Sequence, residues 1–286
     1  MKGILLAGGS GTRLYPATLS VSKQLLPVYD KPMVYYPLSA LMLAGIREVL
    51  VISNPEHLEA YRMLLGDGSD WGMRFEYKAQ LKPRGLADAF IIGEDFVGDE
   101  PAALFLGDNI IYGSGLVDKL KEASSITHGA LIFAYPVKDP ERFGVIDLDE
   151  NENPVSLEEK PRNPKSNYAV PGFYFYDNQV VELVHKMASS NPKELGITDL
   201  NRSYMERGEL RVIVLGRGIA WPDAGTPEAL LQASNFVQAV QERQGFKISC
   251  PEEIAFRKKF IGREQLLALA KKMKNPDYRQ YLENIA

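Results

Sequence analysis

Apolar residues in this chain come first in short unbroken runs and later in alternation, and that change of rhythm predicts the architecture. "KGILLA" (2–7) is a continuous apolar run that stops at glycine, as expected of a strand buried on both faces. In "PLSALMLAG" (37–45) the spacing of Leu38, Leu41 and Met42 predicts a helix, with Gly45 as its terminator. "EVLVIS" (48–53) predicts a second buried strand. Strand, glycine loop, helix and strand in that order form the βαβ unit of an α/β fold. The rhythm continues with strands at 74–79, 102–108 and 130–137 and a helix at 85–96.

After residue 140 the texture changes. "GVIDLDENENPVSLEEKP" (144–161) alternates apolar and polar residues around an Asn-rich turn and predicts a hairpin. "YAVPGFYFYD" (168–177) is aromatic and strand-like. From Thr226 the chain is helical again, with Thr226 as N-cap, Pro227 at the first helical position and Gly245 at the end. Its apolar face is Leu230, Ala233, Val237 and Val240, and "REQLLALAKKM" (263–273) predicts another helix. No repeat or linker interrupts the chain. The expected organisation is one catalytic domain over 1–240 and a helical tail over 241–286 packed on the same core.

Composition narrows the function more than the fold. With 286 residues, 45% hydrophobic and 24% charged, the chain can bury a sizeable core. A formal net charge of −4 leaves no basic excess for a nucleic-acid backbone. The single Cys250 excludes an intrachain disulfide framework. His57, His128 and His185 lie far apart, so a zinc site is not expected. The N-terminal apolar run, about five residues, is too short for a signal peptide, and no later run reaches a membrane span. The expected address is the cytoplasm.

The chemistry concentrates in "LAGGSGTRLYPATLSVSKQLLPV" (6–28). A dinucleotide-binding loop needs G-x-G-x-x-G, but Gly9-x-Gly11 is followed by Leu14 at the third position. A P-loop needs lysine after its second glycine, and Gly8 is followed by Gly9. What remains is a loop over Gly8, Gly9, Ser10, Gly11 and Thr12 whose N–H groups cradle phosphate, with Arg13 and Lys23 supplying charge. A tight βα turn with two solvated cations fits the same residues. Asp108, at the end of a predicted strand, suits a cation ligand at a sheet's carboxyl edge, and equally a turn cap. In Glu159-Lys160-Pro161 the adjacent charges point to opposite faces unless a bend follows, and Pro161 supplies one.

The full 6–28 string resembles the sugar-nucleotidyltransferase signature G-G-x-G-T-R-L-x-P-x-T-x-x-x-x-K-x-L-L-P. "LLGDGSDWG", "LGDNIIYG", "DPERFGVI", "SLEEKPRNPKSNYAVPGFYFYD" and "CPEEIAF" extend the likeness over nearly the whole chain, toward the branch that makes dTDP-glucose. The resemblance implies a Rossmann-like nucleotidyltransferase fold: a mixed, mostly parallel sheet flanked by helices, a β-hairpin sugar-binding region and a helical tail. It implies transfer of a thymidylyl group from dTTP to α-D-glucose 1-phosphate, releasing pyrophosphate and opening a dTDP-sugar pathway of the dTDP-L-rhamnose type. By the same likeness Asp108 and Asp223 hold Mg²⁺, and Arg13, Lys23 and Lys160 are catalytic. Gln80 and Gly85 read the base, Gln24 meets the deoxyribose, and Gly144, Glu159, Lys160 and Val170 hold the sugar phosphate.

Relatives of this kind are commonly homotetramers with a second, inhibitory nucleotide site. Here Tyr112, Gly113, Arg217 and Glu253 are its candidates. Ser114 stands where close relatives carry histidine, and "DAGTPEA" replaces a "DTGTHDS"-like string, which puts that regulation in question. Two other readings fit part of the pattern: a nucleotidyltransferase using UTP or another sugar phosphate, and a non-catalytic nucleotide-binding module.

Overall fold

Unbroken apolar runs belong in the middle of a sheet, and the computed structural model, which describes residues 1–191 and 194–286, puts them there. β1 (Lys2–Leu6) leads into the glycine loop, a small hairpin of β2 (Pro27–Val28) and β3 (Lys31–Pro32), α1 (Tyr35–Leu43) and β4 (Glu48–Ser53). α2 (Leu58–Leu65), β5 (Arg74–Ala79), α3 (Asp88–Ile92), α4 (Glu94–Val97) and β6 (Ala102–Leu106) follow. Next come β7 (Tyr112–Gly113), α5 (Leu116–Ser124), β8 (Ala130–Pro136), β9 (Gly144–Leu148), β10 (Pro154–Glu159), β11 (Tyr168–Ala169) and β12 (Phe173–Tyr176). The chain closes with α6 (Val180–Ser190), α7 (Ile197–Glu206), β13 (Leu210–Val214), β14 (Ile219–Ala220) and the helices α8 (Pro227–Gln244), α9 (Pro251–Arg257), α10 (Arg263–Lys272) and α11 (Pro276–Ile285).

The main sheet runs β10-β9-β11-β8-β12-β6-β1-β4-β5, with β13 beside β8. It is mixed: β6, β1, β4 and β5 form a parallel ladder, while β12 runs antiparallel between β6 and β8. Because side chains alternate across a strand, both faces of this sheet are apolar. Leu5, Val49, Val51, Phe105 and Phe175 pack one way, against α1, α5 and the tail. Ile4, Leu50, Ile52, Leu104 and Tyr176 pack the other way, against α3, α6 and α7. α1 shows no polar face because the sheet lies on one side of it and α9 on the other.

The differences from the sequence pattern have local causes. The helix expected over 85–96 is two short ones, α3 and α4, divided at Gly93. A side chain at Gly93 would press within 3.0 Å of the Ala89 carbonyl and the Leu50 methyl. The strand expected over 168–177 breaks into β11 and β12 at Pro171-Gly172, where proline removes a ladder N–H. The expected hairpin is present as antiparallel β9 and β10, its turn held by Asp149 Oδ1 accepting from the N–H groups of Asn151 and Asn153, both at 2.8 Å. Thr226 caps α8 as expected, accepting from Ala229 N at 3.2 Å. That helix carries the chain across residue 240 without a break. The tail holds α9 and α11 besides the expected α10, and Ile254, Leu266, Leu269 and Leu282 join the core of the sheet's α1 side.

Candidate active site

Parallel strands that end at one edge deliver four loops to one place. β1 delivers the glycine loop, β4 Asn54, β5 Gln80, and β6 the stretch Gly107-Asp108-Asn109. In open α/β sheets this carboxyl edge is where ligands bind.

The glycine loop is fixed by its own backbone and by a set of polar side chains. Gly9 has φ 107° and Gly11 φ 57°, left-handed values that a side chain would strain. A Cβ on Gly11 would also meet the Thr18 methyl at 2.8 Å, and Thr18 Oγ1 donates to Gly11 O at 2.9 Å. Buried Gln24 donates through Nε2 to Gly8 O at 2.9 Å, while Ser22 Oγ donates to its Oε1 at 2.7 Å. Tyr61 OH donates to Ala7 O at 3.2 Å. Gly8, Gly9, Ser10, Gly11, Thr12, Arg13, Lys23, Gln24 and Asp108 thereby surround one cavity of about 210 Å³. Gln80 and Gly85 line a neighbouring cavity of about 220 Å³ together with Gly8, Gln24 and Asp108. The tight approach of Gly85 to the Leu195 carbonyl, 2.3 Å from where a Cβ would stand, leaves room only for glycine.

Asp108 and Asp223 come from positions 115 residues apart and face one larger cavity of about 600 Å³. Asp108 Oδ2 accepts from Lys23 Nζ at 2.7 Å, and its Oδ1 from Asn109 Nδ2 at 3.2 Å. Asp223 Oδ2 accepts from Arg142 Nη2 at 2.5 Å, and its Oδ1 from Gly225 N at 2.8 Å. Burial pushes the Asp223 carboxyl up, but the Arg142 and Gly225 hydrogen bonds and the nearby cations outweigh it and hold the group below its ordinary value. Arg13 lies beside the same segment, its guanidinium 3.1 Å from where a Gly225 side chain would begin.

The far wall is built on the hairpin. β10 ends at Glu159, and Lys160 takes φ 44°, the bend that lets adjacent side chains serve one cavity. Lys160 Nζ lies 3.3 Å from Glu159 Oε1, and Thr198 Oγ1 of α7 donates to Glu159 Oε2 at 2.6 Å. Gly144 and Val170 are joined by a backbone bond, Val170 N to Gly144 O at 2.9 Å, and both line this wall. Trp221 closes it between Tyr135 and Phe143, with ring centroids 5.7 and 5.2 Å away, and donates to Asn109 Oδ1 at 2.8 Å.

Thus Arg13, Lys23, Asp108, Gly144, Glu159, Lys160, Val170 and Asp223 share one cavity, and the glycine loop, Gln24, Gln80 and Gly85 adjoin it through Asp108. The four regulatory candidates lie elsewhere. Tyr112 and Gly113 form β7, paired with β14, and Arg217 sits in the turn that precedes β14. Glu253 belongs to α9, where Arg257 Nε donates to it at 2.6 Å and Tyr281 OH at 2.5 Å. Arg142, Asn109, Thr198 and Trp221 were missed as site residues. "DPERFGVI" and "LGDNIIYG" contain the first two, but only their partners 81 and 63 residues away in sequence reveal a purpose.

A mixed α/β sheet that gathers amides, cations and carboxylates at its parallel carboxyl edge defines a phosphate-handling nucleotide protein. The profile of the Nucleotidyl transferase family matches residues 2–240, and the chain belongs to that family. It is 57% identical over 282 residues to a glucose-1-phosphate thymidylyltransferase of Neisseria gonorrhoeae, covering 99% of this chain and 98% of that one. A solved Bacillus anthracis chain in complex with sucrose, provisionally assigned the same activity, aligns with TM-score 0.77 and 39% identity over 82% of this chain and 94% of that one. A UDP-glucose pyrophosphorylase complexed with UDP-glucose aligns with TM-score 0.71 and 25% identity, over 85% and 99%.

Proposed function

We propose that this chain transfers a thymidylyl group from dTTP to α-D-glucose 1-phosphate, giving dTDP-glucose and pyrophosphate. The observation that carries the reading is geometric: three cavities, one against the glycine loop, one against Gln80 and one against Glu159 and Lys160, all open onto Asp108. Triphosphate, base and sugar phosphate have separate compartments that meet at one point. The relative that is 57% identical over nearly the full length carries this activity in its name, which favours dTTP and glucose 1-phosphate as the pair. The fold is shared with a UDP-glucose pyrophosphorylase, so the sheet alone does not choose the base.

In the reaction an oxygen of the sugar phosphate attacks the α-phosphorus of dTTP, and the bond from that phosphorus to the β-phosphate oxygen breaks. The nucleophile is already anionic near pH 7, so no base has to remove a proton. The obstacle is repulsion between two anions and charge growing on the departing pyrophosphate. Glycine-loop amides and Arg13 hold the triphosphate and meet the growing charge. Lys23 neutralises the phosphates, and Lys160 steers the sugar phosphate into line. Glu159, held by Thr198, accepts from a sugar hydroxyl. Gln80 offers both a donor and an acceptor to the O4 and N3–H edge of thymine. Gln24 is the residue we assign to the deoxyribose, with its amide already oriented by Ser22 and Gly8.

Asp108 and Asp223 fit Mg²⁺. Both are hard oxygen donors facing one cavity, and Mg²⁺ usually takes one or two carboxylates plus substrate phosphates. No group of three or more His, Cys, Asp or Glu side chains suited to a metal occurs among the described residues. When bound there, Mg²⁺ would supply electrostatic shielding of the phosphates.

The same reading carries a homotetramer, a second nucleotide site from Tyr112, Gly113, Arg217 and Glu253, and a cytoplasmic address. No helix among the described residues is long and apolar enough to cross a membrane. Pyrophosphate release measured over dTTP and UTP, each with glucose 1-phosphate and galactose 1-phosphate, tests the reading. The expected result is the highest kcat/KM with dTTP and glucose 1-phosphate. Faster turnover with UTP, or no pyrophosphate from any pair, would overturn it.

A further inference from the structure

All four carboxylate oxygens that would hold the divalent cation are hydrogen-bonded in the free protein, two of them to positive charges. The two cations are not equivalent. Lys23 is mostly buried and has Asp108 as its one carboxylate within ion-pair distance among the described residues. Arg142 is forked between two carboxylates, with Nη2 on Asp223 at 2.5 Å and Nη1 on Asp139 at 2.6 Å. Its side chain is 41% exposed, so it has room to move. It stands at the end of the Pro140–Arg142 turn, directly before Phe143 and the strand β9 that lines the sugar side.

We propose that Arg142 is a positioning residue that occupies the place of the metal on Asp223 and yields it when the cation arrives with the nucleotide. This inference rests on the reading of Asp108 and Asp223 as the cation's carboxylates. A divalent ion on Asp223 Oδ2 and a guanidinium hydrogen-bonded to the same oxygen repel each other at short range, so each weakens the other's hold on that oxygen. Leaving Asp223 does not strand the guanidinium, because Asp139 keeps a charge-assisted bond to its other nitrogen. Asp223 itself keeps its place through the Gly225 N–H. The exchange therefore replaces one counter-ion by another and leaves no charge unpaired. The metal-free protein holds free divalent cations weakly, and the phosphates of a nucleotide, by adding ligands to the ion, tip the exchange.

Mn²⁺ binding, read from the electron paramagnetic resonance signal of the free ion, tests this without turnover. Protein without nucleotide is titrated as wild type, Arg142→Gln, Arg142→Lys, Asp223→Asn and the Arg142→Gln/Asp223→Asn double variant, and each is then titrated again with dTTP. Arg142→Gln is expected to bind Mn²⁺ about tenfold tighter than wild type in the absence of dTTP, a typical size for two coupled sites. The double variant should lose that gain. Arg142→Lys, which keeps the charge but not the fork, should fall between wild type and Arg142→Gln, and it carries the test should Arg142→Gln melt early.

Unchanged or weaker Mn²⁺ affinity in Arg142→Gln, together with Arg142→Lys no different from wild type, overturns the placeholder. If Asp223→Asn then still weakens Mn²⁺ binding in the presence of dTTP, the metal reading survives that failure. If Asp223→Asn changes nothing under either condition, both fall.

Discussion

At the glycine-loop end of the chamber the groups proposed to meet the ligand are main-chain amides, held by left-handed glycines, by Thr18 and by the buried Gln24–Ser22–Tyr61 cluster. At the hairpin end they are the heads of side chains, with Lys160 65% and Glu159 50% exposed. The first construction cannot change without moving the strand behind it. The second changes one side chain at a time. A triphosphate presents the same oxygens whatever nucleoside it carries, so a rigid backbone cradle suits it. A sugar is distinguished by its hydroxyls, which side chains on a hairpin can be altered to match without touching the core.

That contrast can be broken experimentally. The largest expected effect is at the junction: Arg13→Ala should lower kcat about 100-fold or more, the scale of losing one preorganised charge contact. Steady-state pyrophosphate release checks it, and a variant within about threefold of wild type removes Arg13 from the catalytic set. Next, Lys160→Gln should raise KM for glucose 1-phosphate about thirtyfold, as expected for a hydrogen bond to a charged group, with KM for dTTP within about threefold. Equal effects on both substrates would mean the two ends are not separate.

Gly11→Ala should do the converse. Forcing a Cβ into φ 57° costs about 1–2 kcal/mol, so KM for dTTP should rise about tenfold while that for the sugar phosphate stays. If Gly11→Ala binds dTTP like wild type, the loop is softer than its geometry implies.

The smallest effect concerns a third region, where side chains are held as firmly as the glycine loop. Between the β2–β3 hairpin and α8, Asp30 accepts from Lys31, from Gln241 Nε2 at 3.0 Å and from Lys247 at 3.1 Å. Burial raises its carboxyl, but these partners more than reverse that and leave it below its ordinary value. The unfolded chain therefore binds the proton more readily. The stabilisation is full above the ordinary carboxylate value of about 3.9 and is lost as pH falls toward the lower folded value. Melting curves from pH 7 to pH 3 should show Asp30→Asn starting lower and losing less on acidification than wild type. Parallel curves would contradict the assignment.

Most of the parallel ladder was legible in the sequence because β1, β4 and β6 are buried on both faces and so read as apolar runs, whereas the edge strand β5, RFEYKA, is partly exposed and mixes charged with apolar residues. The glycine loop was legible only through the whole 6–28 string, because its glycines and two cations taken alone fit a tight βα turn equally well. Less of the sugar side could be read. α6 and α7 went unrecognised, and Thr198 on α7 matters only because folding carries it 39 residues back in sequence to Glu159. The same holds for Arg142, whose residue type suits any surface turn until Asp223 is seen beside it. Local pattern carries the elements, whereas pairings across 39 to 85 residues are properties of the fold.

In the proposed reaction two phosphates are brought together by fixed charge and react directly, without a covalent enzyme intermediate. The stereochemistry at the α-phosphorus tests it most directly. With one diastereomer of dTTP carrying sulfur on that phosphorus, a single in-line displacement by glucose 1-phosphate gives dTDP-glucose of inverted configuration, which phosphorus NMR distinguishes. Inversion is the result expected here, and retention would contradict the account.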